Sequence, residues 1–331
     1  MVVLLFLCLS FLLSLGLTIW LRRWLLKLAF LDCPNVRSSH RLPVPRGGGW
    51  AILGAILPGI LWNHFTLPNG HAYSWLLAGL SLSALISWQD DRKGVPAGIR
   101  LIVHLVAAAM GTFFWLPDQM LLGGVLPLLI DRTLVIIGWA MYMNIYNFMD
   151  GIDGITGIET ISLAVGVGLC LTAAGLFAPG LDVMTAVLVG ASLGFLSLNW
   201  HPGKIFLGDI GSVPLGYLTG FCLLTLALHG EWAAAIILPM YYLTDSCLTI
   251  MRRALRGEKV WKAHCEHFYQ KAAARWIRHD KVALIIMVSN IGLILLAVAA
   301  ASVSLLSIKL GLIAAAAGLT ALTLRRLQAE D

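Results

Sequence analysis

Charge is what this sequence has least of. Only 12% of its 331 residues are Asp, Glu, Lys or Arg, about half the share of an ordinary soluble domain, while 59% are apolar. A water-soluble chain of this size cannot bury that much apolar sequence, so a soluble enzyme is excluded. Paired cysteines are lacking as well. Cys8, Cys33, Cys170, Cys222, Cys247 and Cys265 include no CxxC pair, and four of them lie inside apolar runs, which excludes a disulfide framework and a zinc ribbon. There is no internal repeat, no low-complexity tract and no polar stretch large enough for a separate soluble domain; the longest runs over 252–281. No basic residue precedes the first apolar run, where a secretory leader would carry one. Arg22, Arg23 and Lys27 follow it instead, so the run reads as a retained first span with its N-terminus outside.

What is present is a succession of apolar runs, each of about twenty residues. They fall at roughly 2–21, 48–66, 73–88, 99–115, 133–149, 157–176, 183–199, 213–228, 233–250, 282–301 and 308–324. Continuous Leu, Ala, Ile and Val predict helices, since barrel strands would alternate in polarity. The expected fold is an all-α polytopic membrane helix bundle of about 11 transmembrane helices, one domain over 1–331. Orientation follows from the basic residues, which collect in cytoplasmic loops. With the N-terminus outside, 21 of the 23 Lys and Arg fall on the inner face, leaving Arg132 and Lys309 outside. The C-terminus is then cytoplasmic, and the net charge of +6 belongs to this asymmetry and not to a nucleic-acid partner.

The outer carboxylates Asp118, Asp131, Asp182 and Glu231 are scattered singly and read as solvated span ends. Chemistry is expected on the inner face, in loops at about 22–47, 89–98, 150–156, 200–212 and 251–281. Asp90 and Asp91 stand side by side after the third run, where two carboxylates repel each other and a cation is the simplest compensator; Arg92 and Lys93 offer an ordinary charged cap as the alternative. In NIYNFMDGIDG, Asn147, Asp150 and Asp153 are spaced by three, so a helix would put them on one face with Asn144, beside glycines that let a ligand approach. Gly208 and Gly211 bracket Asp209 at the start of a further helix, whose first amides favour anions. His264 and His267 flank Cys265 and Glu266 in the basic loop. No HExxH and no third ligand accompany them, and among Arg252, Arg253, Arg256, Lys259 and Lys262 they suit phosphate oxygens better than zinc. The loop from Asp32 to Gly49 adds Arg37, His40, Arg41 and Arg46 on a path fixed by Pro34, Pro45 and three consecutive glycines. Asp245 is costly in lipid and is expected to face the bundle with a partner, and His104 to be an interior histidine. Carboxylates for Mg²⁺, glycine turns for phosphate and basic loops for polyanions on one membrane face point to phosphoryl transfer between a soluble diphosphate and a lipid phosphate.

The strings QDDRKG, NIYNFMDGIDGITG, KIFLGDIGS and AHCEHFYQ, in this order, resemble the polyprenyl-phosphate N-acetylhexosamine-1-phosphate transferases over about residues 32–275. That resemblance implies a multi-pass enzyme of the bacterial cytoplasmic membrane that takes UDP-N-acetylhexosamine and undecaprenyl phosphate and releases UMP. It implies Mg²⁺, with Mn²⁺ as a substitute, held by Asp209 with Asn147 as a further ligand. Asp90 and Asp91 would position or deprotonate the lipid phosphate, Asp150 and Asp153 would line the nucleotide pocket, and Asn199 with Phe206 would hold the uracil. Arg100, His264 and His267 would contact the diphosphate or sugar, and Arg37 with His40 form a further substrate set. The peptidoglycan branch, which transfers phospho-MurNAc-pentapeptide, carries three consecutive histidines in the last loop. His264-Cys-Glu-His267 looks more like the branch that starts O-antigen and related surface polysaccharides, with GlcNAc or a 6-deoxy sugar such as FucNAc or QuiNAc as donor. A homodimer stays open. Two rivals remain. An intramembrane prenyltransferase would need a second DDxxD motif, and position 94 is Gly; a nucleotide-sugar transporter would want ionisable groups near the midplane, not gathered at one surface.

Overall fold

The computed structural model describes residues 1–32, 43–115, 120–121, 123–259, 264–276 and 278–329. It is an all-α bundle, as expected: α1 Val2–Lys27, α2 Gly49–Thr66, α3 Ala72–Lys93, α4 Ala97–Trp115, α5 Leu128–Phe148, α6 Ile155–Ala173, α7 Leu181–Asn199, α8 Asp209–Leu226, α9 Trp232–Ile237, α10 Met240–Leu255, α11 Phe268–Trp276, α12 His279–Ala301 and α13 Leu306–Gln328. Two residue pairs, β1 Leu31–Asp32 and β2 Val44–Pro45, form a short antiparallel ladder. Helices satisfy their own backbone polar groups, which is what a run of apolar side chains in lipid requires.

Among the described residues, eight helical segments are long and apolar enough to cross a membrane: α1, α4, α5, α6, α7, the continuous stretch Asp209–Ile237, α12 and α13. The sequence suggests eleven, and the difference lies in α2, α3 and the run at 233–250. α2 and α3 are single helices at their expected places. The run at 233–250 is a correction, because it is not one helix. α8 passes through a wide turn at Ala227–Glu231, where Gly230 has φ +95°, into the short α9, and the helix starts again as α10 after Pro239. Proline removes an intrahelical donor and clashes with the preceding turn, so an apolar run holding one need not be straight.

The stretch beginning at α8 is the axis of the bundle, 89% buried in its most apolar window against 22% for α1 and α13 at the periphery. α8 is packed by α3, α5, α6 and the first turns of α2. Helices in lipid gain little from burying apolar surface against each other, and small residues that admit a close neighbour do the work. On α7, a Cβ at Gly190 would stand 2.2 Å from the Leu7 carbonyl oxygen of α1, and one at Gly194 would stand 2.5 Å from that of Phe11. Ser14 Oγ then donates to the Ala191 carbonyl at 2.6 Å.

At the end of the bundle remote from the motifs, the sequence expectation of solvated carboxylates needs correcting. Asp131 is buried, 2% exposed, and accepts the Leu121 N–H at 3.0 Å; Glu231 is paired with Lys309 at 3.1 Å. Asp182 is exposed as expected, and Asp118 lies outside the described residues.

The opposite end gathers the motif loops, and the triple glycine explains how. Phe206 N–H donates to Pro45 O at 2.8 Å, while the N–H groups of Gly48 and Gly49 donate to Phe206 O and Leu207 O, each at 2.9 Å. This stitches the entry of α2 to the entry of α8. A Cβ on Gly49 would lie 2.3 Å from Gly211 Cα, a backbone contact that cannot yield. Gly49→Ala should therefore cost about 1 to 3 kcal/mol of stability, read as an earlier melting transition in detergent. Gly98→Ala, with no atom within 4 Å of its added Cβ, should melt like the parent.

Candidate active site at one end of the bundle

The site is built around the first turn of α8. Gly208, at φ +76°, brings the chain into the helix through a conformation that L side chains rarely adopt, and a Cβ there would meet Asp91 Oδ2 at 2.7 Å. Asp91 uses the space. Its Oδ1 accepts the Asp209 N–H at 3.1 Å and its Oδ2 the Ile210 N–H at 3.0 Å, capping α8 from another helix. The same Oδ1 lies 2.7 Å from Arg46 Nη2, and the Asp91 side chain is 0% exposed. The adjacent carboxylates thus divide. Asp91 is buried and held by the start of α8 and by Arg46. Asp90 is 12% exposed and takes the Val95 N–H on Oδ1 at 2.6 Å and the Arg100 guanidinium on Oδ2.

Two guanidiniums knit the carboxylates together. Arg46 Nη2 reaches Asp209 Oδ1 at 2.8 Å as well as Asp91, and Arg100 Nη1 reaches Asp209 Oδ2 at 3.5 Å as well as Asp90. Asp90, Asp91 and Asp209, brought from α3 and α8, therefore share one cluster. Arg100 was expected in the site from the sequence. Arg46 was read only as loop charge, and its one pointer was its place between Pro45 and the glycines. Asn147 faces the same turn of α8, its Nδ2 donating to Ser212 Oγ at 2.9 Å. Its carboxamide oxygen, the atom a metal would use, takes no hydrogen bond among the described residues.

The stripe Asn147, Asp150, Asp153 does not survive as a helix face. α5 stops at Phe148, the chain turns over 149–154, and Gly154 at φ +80° starts α6. Asp150 takes the Thr156 hydroxyl on Oδ1 at 2.6 Å. Burial pushes its carboxyl up to about 6, against the opposing pull of that hydroxyl and of Arg46. Asp153 turns instead to His201 and His279, with Nδ1 atoms at 2.7 and 3.1 Å from Oδ2, and to the Gly203 N–H at 3.1 Å. Burial alone would raise its carboxyl; the two imidazoles and the amide outweigh that and hold it low. Both histidines fall in inner loops where chemistry is expected, at 200–212 and 251–281, but neither is singled out by its spacing.

The Asp150 shift has a thermodynamic consequence. With a folded value near 6 and an unfolded one near 3.8, the folded chain keeps a proton that the unfolded chain releases between those values. Stability attributable to this group is then lost as pH rises through that window, by about 1 to 3 kcal/mol in all. Asp150→Asn should flatten the dependence, melting close to the parent near pH 4 and above it at pH 7.5. Parallel melting curves for parent and variant across that range would contradict the assignment.

The histidine loop docks onto the same end. Tyr269 OH donates to Phe148 O at 2.9 Å, and a Cβ on Gly151 would stand 2.3 Å from that hydroxyl. His267 is buried, its Nδ1 at 3.1 Å from Asp245 Oδ1; Asp245 also accepts the N–H groups of Phe268 and Tyr269 at 3.1 and 3.2 Å, capping α11. Asp245 therefore faces the bundle with partners, as expected. His264 stacks on His267 with ring centroids 4.9 Å apart, and its Nδ1 accepts the Glu266 N–H at 3.3 Å. Burial, then the neighbouring His267 and Arg253, lower its value to about 4, so at neutral pH it is an uncharged imidazole with its proton on Nε2. Much of the loop's basic charge is already paired: Arg253 and Arg256 each lie 2.8 Å from Glu258.

Asn199, expected to meet a base, spends both ends of its carboxamide on backbone, accepting the Gly154 N–H at 3.0 Å and donating to Ile205 O at 2.9 Å. It joins the two loops. Phe206 is half-buried on the strand-like stretch beside Arg46. His104 is buried and meets Asn144 Nδ2 at 3.1 Å, so Asn144 turns into the bundle and away from the expected stripe. Arg37 and His40 lie outside the described residues.

Chemically, the cluster is a set of carboxylate and carboxamide oxygens held by two partly exposed arginines beside a helix start. That donor set fits a hard dication such as Mg²⁺, with Asp209 and Asn147 as the residues that would hold it. The arginines and the His264 Nε2–H suit phosphate oxygens.

Residues 73–227 match the model of glycosyl transferase family 4. The chain is 26% identical over 280 residues to a probable undecaprenyl-phosphate N-acetylglucosaminyl 1-phosphate transferase of Bacillus subtilis, covering 80% of this chain and 75% of that protein. It is 28% identical over 297 residues to a decaprenyl-phosphate N-acetylglucosaminephosphotransferase of Mycobacterium tuberculosis, covering 78% and 73%. A phospho-N-acetylmuramoyl-pentapeptide-transferase of Streptococcus thermophilus matches at 26% over 224 residues, 62% of this chain and 64% of the other. With its four motifs gathered at one end of a membrane bundle, the chain is similar to glycosyl transferase family 4 over residues 73–227, and to relatives named as polyprenyl-phosphate GlcNAc-phosphate transferases over most of its length.

Proposed function

We propose that this transferase moves an N-acetylhexosamine 1-phosphate from a UDP-sugar to undecaprenyl phosphate at the cytoplasmic face of the bacterial inner membrane, releasing UMP. The observation that carries the reading is the joint clamp of Arg46 and Arg100 on Asp90, Asp91 and Asp209 at the start of α8. It offers oxygens to a dication and guanidiniums to a diphosphate in one place. The relatives named for GlcNAc phosphate transfer support the reaction class. The spacing His264-Cys-Glu-His267, without three consecutive histidines, supports a small UDP-HexNAc donor such as UDP-GlcNAc or a 6-deoxy UDP-HexNAc, and with it a start of O-antigen or related surface polysaccharide. Phospho-MurNAc-pentapeptide transfer is the second reading, favoured by the Streptococcus relative.

In this reaction an oxygen of the lipid phosphate attacks the sugar-bearing phosphorus in line, and the bond from that phosphorus to the UMP oxygen breaks. Bound Mg²⁺ supplies positive charge for the diphosphate. Arg100 and Arg46 have the charge and partial exposure to bind phosphate oxygens, and the neutral His264 donates its Nε2–H to one. Asp91 keeps the α8 start in place, and Phe206 offers a ring face for the base. A radiolabel assay in membranes tests the proposal: UDP-[³H]GlcNAc with undecaprenyl phosphate should move label into the organic phase together with formation of UMP. Label carried across sealed vesicles without UMP formation would overturn it. A panel of UDP-HexNAc donors and UDP-MurNAc-pentapeptide separates the two readings, and a phosphorylated Asp trapped without lipid acceptor would replace the direct route by a covalent one.

A further inference from the structure

Asp153 is held asymmetrically, through one of its two carboxylate oxygens. Its close contacts meet one oxygen: His201 Nδ1 at 2.7 Å and the Gly203 N–H at 3.1 Å donate to Oδ2, and His279 Nδ1 lies 3.1 Å from the same atom. Among the described residues none donates to Oδ1. Gly203 permits the arrangement, since a Cβ there would stand 2.7 Å from Oδ1 and fill the approach to it. The donors come from different parts of the chain, His201 and Gly203 from the loop before α8 and His279 from the first residue of α12. The two imidazoles stand tilted to each other by 51°, with centroids 4.9 Å apart. His279 Nδ1 also lies 3.4 Å from the Asp153 N–H; the shorter, charge-assisted contact to the carboxylate assigns the proton to Nδ1.

A metal ion shared by these three residues is the other arrangement the geometry suggests, because one ligand atom from each lies within 4.8 Å of the others. The distances decide against it. Ligand atoms about 2.0 to 2.2 Å from a tetrahedral zinc stand more than 3 Å apart, whereas His201 to Asp153 is a hydrogen-bond length, and Oδ2 already accepts from His201 and the Gly203 N–H.

We infer that His201 and His279 are positioning residues that anchor one oxygen of Asp153 so that the other is presented to a hydrogen-bond donor of the bound nucleotide. The inference rests on the transferase reading above, in which Asp153 lines the nucleotide pocket. It makes the start of α12, nine residues beyond the AHCEHFYQ string, part of the donor site. Both histidines act through Nδ1, so asparagine, whose Nδ2 falls near that position, is the conservative replacement and alanine the disruptive one.

The experiment measures UMP binding by calorimetry, and kcat and KM for the UDP-sugar, on the purified full chain. His201→Ala and His279→Ala should each weaken UMP binding and raise KM about tenfold, the worth of one charge-assisted hydrogen bond, with kcat within about twofold. His201→Asn and His279→Asn should recover most of that loss. In an Asp153→Ala background the histidine changes should have no further effect, since their target is gone. Unchanged UMP binding in folded alanine variants, full additivity with Asp153→Ala, or losses in kcat and melting temperature together would each overturn the inference. So would one equivalent of zinc in the purified protein that disappears in the histidine variants. Failure of the parent protein to turn over any UDP-sugar is a separate result, and it counts against the transferase reading itself.

Discussion

Asp209→Asn is expected to lower turnover about a thousandfold or more, the scale seen when one electrostatic element of a preorganised site is removed, while the protein melts within a few degrees of the parent. Asp209 is the residue on which both arginines converge, at 2.8 and 3.5 Å. Its carboxylate is 18% exposed, and asparagine fits the same place at the first turn of a helix. The change removes one negative charge from a cluster of three carboxylates and two guanidiniums, leaving Arg46 on Asp91 and Arg100 on Asp90. The fold is therefore spared and the chemistry is not. Turnover near the parent level would remove Asp209 from the centre of the site.

Asp91→Ala should have the opposite signature. This carboxylate is buried, caps two α8 amides and pairs with Arg46, so its loss strands two N–H groups and a guanidinium at once. Breaking a buried pair by removing one partner costs about 3 to 5 kcal/mol, which should appear as a large drop in melting temperature in detergent. Activity should fall with it, because the start of α8 loses its register against α3. Asp90→Asn, at a partly exposed neighbour one position away, should change melting far less. Equal melting of the Asp91 and Asp90 variants would contradict the division of labour between them.

The fold class was legible in the apolar runs because lipid leaves a helix few alternatives, and the positions of α1 to α8 follow those runs closely. The run at 233–250 misled because average apolarity does not register a turn at Gly230 or a break at Pro239. Within the site, the gathering of Asp90, Asp91 and Asp209 was readable from their glycine and arginine neighbours. Their separate duties were not, since nothing in two adjacent aspartates says which one caps a helix elsewhere. Spacing by three suggested a helical stripe for Asn147, Asp150 and Asp153, but glycines at 151 and 154 end the helix first and send the two carboxylates to different partners. Arg46 looked like one of many inner-face charges. His201 and His279 lie in the expected inner loops, but their meeting at Asp153 is invisible in one dimension because only the folded chain brings the loop before α8 to the start of α12.

The central claim is that side chains from α3, α5 and α8 meet around one divalent ion in the presence of nucleotide. Titration of the detergent-solubilised chain with Mn²⁺, followed by loss of the sharp six-line electron paramagnetic resonance signal of the free ion, reads this directly. With UMP or UDP-sugar present, the parent protein should take up one equivalent of Mn²⁺ that Mg²⁺ competes away, and Asp209→Asn should take up none at the same concentrations. A parent protein that leaves the free-ion signal intact, or an Asp209→Asn variant that binds Mn²⁺ as tightly as the parent, would contradict it.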